Sequence, residues 1–184
     1  MAQPGTPPFL WWSESAITFD RTDHLDVVPH PGRYPLVVDS IVDPKRLTKV
    51  LMDGGSGFNI MYANMLDIMG VDRTHLRPIQ VPFHGVVPGK QAMPLRQIDL
   101  PITFGDQFNY RTETLTFEVV GFPGTFHAIL GHPCYAKFMA IPNYTYLKLK
   151  MLGPPWGHHH RHLLLAHLQV RGRVLWPHHD NRRL

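Results

Sequence analysis

Three observations predict a mainly β domain folded into a small closed or folded-over architecture. Strict apolar–polar alternation recurs in short stretches, as where Ile98, Leu100, Ile102 and Phe104 are set against Gln97, Asp99 and Thr103. Eighteen prolines, near twice the usual share of about 5%, are spread so evenly that long helices and bundles are excluded. Of the 184 residues 43% are apolar and only 17% charged, which sets the chain apart from solvated coil and gives it the means to build a core.

The elements follow in order. Residues 1–16 carry prolines and the pair Trp11-Trp12 without a sustained period, and read as a linker. Ile17 to Phe19 begins the first strand, and the β-branched run from Tyr34 to Val42, bounded by Pro35 and Pro44, is the next. Leu47 to Met52 is a third, ending in Asp53-Gly54-Gly55-Ser56-Gly57, where three glycines let the chain turn sharply. Asn59 caps a short apolar helix from Ile60 to Met69, stopped by Gly70. Residues 81–104 form a long hairpin, with arms Val81 to Val87 and Leu95 to Phe104 joined around Pro88-Gly89.

Leu115, Phe117 and Val119 mark a further half-buried strand, and Leu147, Leu149 and Met151 another, the latter set against Tyr146, Lys148 and Lys150. Between them, the apolar run Phe126 to Gly131 leads into His132-Pro133, where proline suits the first turn of a short helix reaching about Ala140. After Gly153 the pattern breaks. Seven of the thirteen histidines stand in the last 32 residues, among Arg, Leu and Trp in no strand or helix period. The domain is thus placed at residues 17–152. Residues 153–184 are a basic His/Arg-rich tail, disordered or translated out of frame.

Charge and cysteine usage narrow the function. The net charge of +4 comes from the tail, which has five arginines and one acid, Asp180, while the body is balanced at 13 basic and 13 acidic side chains. A basic end without an aromatic platform disfavours nucleic acid as a partner. The one cysteine, Cys134, excludes an internal disulfide and reads as a core filler in a reducing, intracellular setting, pairing between chains being the alternative that an odd cysteine leaves open. The opening MAQPGTPPFLWW has no signal-peptide pattern, and no run of about 20 apolar residues is long enough to cross a bilayer, so a soluble chain off the membrane is expected. His158, His159, His160 and His162 match no established zinc spacing, so no metal is assigned.

The chemistry centres on Val50-Leu51-Met52-Asp53-Gly54-Gly55-Ser56, an acid delivered by an apolar strand into a glycine turn. An ordinary Asp-Gly hairpin is the competing reading, but no returning strand with period two follows. A carboxylate at a strand end, held by backbone donors, is suited to proton transfer. Gly54-Gly55-Ser56-Gly57 has neither the Walker lysine nor the dinucleotide spacing of a phosphate cradle. Amide hydrolysis needs one group to take a proton from water and another to give one up. The chain has no second such turn, so the partner acid is expected from another copy, two Asp53 carboxyls sharing one proton at a two-fold axis.

From about Ile17 to Met151 the chain resembles the retropepsin-like aspartic protease domain of plant gypsy-type LTR retrotransposon polyproteins. The matching pieces, in order, are PGRYPLVVDSIV, LTKVLMDGGS, PFHGVVPGKQAMPL and HAILGHPCYAKFMAIPNYTYLKLKM. The resemblance implies a retropepsin-like acid protease barrel, active as a homodimer that cleaves peptide bonds in a polyprotein without metal or organic cofactor. It implies that Asp53 is catalytic, that Gly54, Gly55 and Ser56 form its loop, and that Ile129, Leu130 and Gly131 pack beside that loop. Gly85, Val86, Val87, Pro88, Gly89 and Lys90 would be the flap that closes over the peptide. The departure is Gly54, where the family carries a Thr or Ser hydroxyl that joins a hydrogen-bond network across the dimer. Losing such a bond costs on the order of 1.5 to 3 kcal/mol. Ser56 is the nearest substitute hydroxyl in the sequence. A catalytically inactive remnant acting as a structural or interaction module is the alternative that Gly54 raises.

Overall fold

The computed structural model describes residues 16–24, 33–42, 45–79, 83–84, 91–92, 94–153 and 163–166. In chain order its strands are β1 (Val37–Val42), β2 (Lys45–Met52), β3 (Asn59–Tyr62), β4 (Phe83–His84), β5 (Gln91–Ala92), β6 (Arg96–Gly105), β7 (Tyr110–Val120), β8 (Ala128–Leu130), β9 (Ile141–Asn143), β10 (Lys148–Leu152) and β11 (Leu163–Ala166). Helix α1 (Ala63–Met69) follows β3, and α2 (His132–Phe138) follows β8.

Six strands close into a barrel in the order β1-β2-β8-β3-β7-β6, with β6 returning to β1. The predicted alternation decides which faces turn inward: Ile98, Leu100, Ile102 and Phe104 of β6 are buried, as are Leu115, Phe117 and Val119 of β7. Two pairings are parallel, β2 with β8 and β3 with β7. Both join segments distant in sequence, and they bring the end of β2 beside the end of β8. Helix α2 packs on the core, Phe138 meeting Phe104 edge to face at 4.9 Å between ring centroids. Arg111 fastens the end of α2 by donating to the carbonyls of Lys137 and Phe138 at 2.9 and 3.0 Å.

Several elements differ from the sequence expectation. Ile17 to Phe19 is not a strand. Residues 16–24 instead lie over β10, where Lys150 donates to the Thr18 carbonyl at 2.8 Å and pairs with Asp23 at 2.5 Å. Lys150 is therefore buried, although alternation had put it on the outer face with Lys148. Asn59 does not cap a helix. It begins β3, which fills the gap between β7 and β8, and α1 starts only at Ala63, because barrel closure outweighs the helical spacing of the apolar run. Gly70 does stop α1, at φ 73°.

The hairpin over 81–104 is also reassigned. β4 pairs with β5, while the arm from Leu95 to Phe104 pairs along its length with β7. The tight turn at Asp106, whose carboxylate accepts the N–H groups of Phe108 and Asn109, makes β7 the nearer partner for so long a strand. After Gly153, where no period was readable, Leu163–Ala166 pairs with β10, giving a sheet of order β11-β10-β9. The rest of that tail and the linker up to residue 15 lie outside the described residues, as does the cluster His158 to His162. Among the described residues no helix is long and apolar enough to cross a membrane.

Candidate active site

Asp53 stands where β2 ends. The apolar residues Val50, Leu51 and Met52 are buried and lock the strand into the barrel, so the next residue leaves the core at a fixed point. The Asp53 N–H donates to the Leu130 carbonyl at 2.9 Å, continuing the parallel ladder one step past the strand. The chain then turns: the Ser56 N–H donates to the Asp53 carbonyl at 3.1 Å, and the Gly55 N–H donates to Asp53 Oδ1 at 2.9 Å. One carboxyl oxygen is thereby fixed by the backbone, and Asp53 remains partly exposed.

Ile129 and Leu130 pair with Leu51 and Met52, and Gly131 passes directly under the turn. A Cβ on Gly131 would lie 2.3 Å from the Phe58 carbonyl oxygen and 2.4 Å from that of Ser56, so only glycine fits. The His132 N–H donates to the Ser56 carbonyl at 2.9 Å, tying the start of α2 to the same turn.

Asn59, which sequence reasoning placed at a helix cap, is the buried strut of this arrangement. Its Oδ1 accepts the Gly131 N–H at 3.0 Å and its Nδ2 donates to the Thr116 carbonyl at 3.0 Å. Ser56 is engaged elsewhere: its hydroxyl donates to the Phe58 carbonyl at 2.8 Å and accepts the Phe58 N–H at 3.3 Å. It closes its own turn.

Asp53, Gly54 and Gly55 line an open cleft of about 290 Å³ together with Tyr34, Leu36 and Tyr144. Tyr144 and Tyr135 were not singled out in the sequence, where nothing distinguishes them from other aromatics near a strand. Their hydroxyls stand 3.4 Å apart. Burial, and then the bond to Tyr144, push the Tyr135 phenol well above its usual range, and the nearby Asp53 charge acts in the same direction. Tyr135 is therefore a neutral hydroxyl at any working pH.

No family model and no curated protein matches the chain. Among solved structures it is similar to the retroviral protease-like domain of Ddi1 from Leishmania major, with a TM-score of 0.45 and 15% identity, over 64% of this chain and 87% of that one. The family expected from the sequence thus rests on the quoted motifs.

The remaining expected residues sort plainly. Gly85 to Lys90, the expected flap, lie outside the described residues, framed in sequence by β4 and β5. Cys134 is fully buried, and burial pushes its thiol far up, so it is a core filler rather than a thiolate nucleophile.

Proposed function

We propose that this chain is an aspartic endopeptidase of the retropepsin-like kind. It acts as a homodimer in which two Asp53 carboxyls meet at a two-fold axis and cleave peptide bonds of a retrotransposon polyprotein. The observation that carries this reading is the seating of Asp53. An apolar strand delivers the acid, a backbone N–H fixes one oxygen, and the Ile129-Leu130-Gly131 segment supports the turn from beneath. The acid and its turn are partly exposed along an open cleft.

In the proposed reaction the paired acids hold one proton between them, because two like charges at about 3 Å do not both ionise. The ionised carboxylate takes a proton from water as its oxygen attacks the scissile carbonyl carbon, and the protonated carboxyl donates to the carbonyl oxygen. The tetrahedral intermediate collapses as a proton passes to the leaving nitrogen, which releases an amine and a carboxylic acid. No covalent enzyme intermediate forms, and no metal or cofactor takes part in the step.

The test is cleavage of a polyprotein junction peptide by the protein at micromolar concentration, with oligomeric state measured in the same sample. The expected result is a dimer whose activity is blocked by pepstatin and abolished in Asp53→Asn. Gly54, which lacks a hydroxyl, favours a second reading, an inactive remnant that keeps the fold for interaction. A verified dimer without cleavage would establish that reading.

A further inference from the structure

Gly54 and Tyr144 form a matched pair. A Cβ on residue 54 would stand 3.0 Å from the Tyr144 hydroxyl, closer than nearly all real contacts of that kind. The phenol therefore lies directly over the backbone of the Asp53 turn because residue 54 has no side chain. Its position is well defined from its own side: it follows β9, and Asn143 Oδ1 accepts the N–H groups of Thr145 and Tyr146 at 3.0 and 2.9 Å. The Tyr135 hydroxyl backs it at 3.4 Å.

We propose that Tyr144 is a positioning residue for Asp53. Its hydroxyl takes the place over residue 54 that a side chain there would occupy, and it clamps the turn from above while Gly131 supports it from below. This rests on the protease reading above and deepens it. On this account the bare backbone at Gly54 is matched by a hydroxyl brought in by the segment after β9.

Four proteins test it: the wild type, Tyr144→Phe, Gly54→Ser and the double variant, each assayed for kcat and KM on a junction peptide and for its thermal midpoint. Tyr144→Phe keeps the ring, so the midpoint is expected to stay within about 2 °C. Its kcat is expected to fall about tenfold, with KM nearly unchanged, because a shift of the acid affects the reacting geometry more than binding. Gly54→Ser pushes the phenol back by a few tenths of an ångström and is expected to lower kcat as well. The double variant is expected to recover towards wild type, since removing the phenol oxygen opens the space and serine returns a hydroxyl.

Strictly additive losses, or an unchanged kcat in Tyr144→Phe, would overturn the proposal. If the wild-type dimer cleaves nothing, the protease reading fails on its own. The midpoints then decide the pairing: non-additivity of about 2 °C or more sustains the clamp, and additivity removes it.

Discussion

The backbone N–H of Gly131 donates to the side-chain oxygen of Asn59 at 3.0 Å, joining residues 72 apart in sequence through a buried bond. Because Asn59 also donates to the Thr116 carbonyl, Asn59→Ala leaves two backbone groups without this partner. The expected cost is about 2 to 3 kcal/mol, read as a lower urea midpoint at constant slope. Asn59→Asp is expected to lose stability as well, since a carboxylate cannot donate to Thr116.

Gly131→Ala probes the floor of the same turn. The added methyl meets two carbonyl oxygens of fixed backbone rather than the end of a flexible side chain. The turn must lift or the strand must shift, at a cost of about 2 to 3 kcal/mol. Peptide cleavage is expected to fall further than the stability loss alone accounts for, because Asp53 is carried by the displaced turn. Equal kcat in a fully folded Gly131→Ala protein would remove the segment from the site.

Asp23 gives the fold an acid-sensitive fastening. Its hydrogen bond to Lys150, followed by the N–H of Asp20, holds its carboxyl below the ordinary value of 3.8. A carboxyl lowered in the folded state stabilises fully above its unfolded value, and that contribution disappears as pH falls through the lowered one. Stability of the wild type is therefore expected to drop below about pH 4, and Asp23→Asn to show a flatter profile there. Lys150→Met, measured at pH 7, is expected to cost about 3 kcal/mol by leaving a buried carboxylate with Lys148, at 3.5 Å, as its one ion-pair partner among the described residues. A thermal melt series from pH 3 to 7 checks both.

Cys134 is expected to resist thiol reagents in the native protein and to react at once in denaturant, since it is buried and its thiol is held protonated. Labelling followed by mass measurement reads this directly. Rapid native labelling would mean that α2 opens far below the global unfolding free energy.

The strands with one wet face were readable because a period of two leaves a clear trace, and β6, β7 and β10 lie close to where alternation put them. The Asp53 turn was readable from its glycines, and the start of α2 from Pro133. β3 was not, because four apolar residues running straight into a helix look like one helical stretch, and only the vacancy between β7 and β8 makes them a strand. Lys150 was assigned to solvent because its cover comes from residues 16–24, over 120 positions away, and no local pattern carries that information. Tyr144 was invisible for the same reason: its meaning lies in the empty space above Gly54, which exists only once β9 and β2 have been brought together.

The two parallel pairings also set an order of assembly. A nascent chain leaving the ribosome carries the acid and its glycines long before Leu130, Gly131 and His132 have been synthesised, and those three residues supply the bonds that seat them. Until the second half of the domain emerges, Asp53 has a loop but no seat.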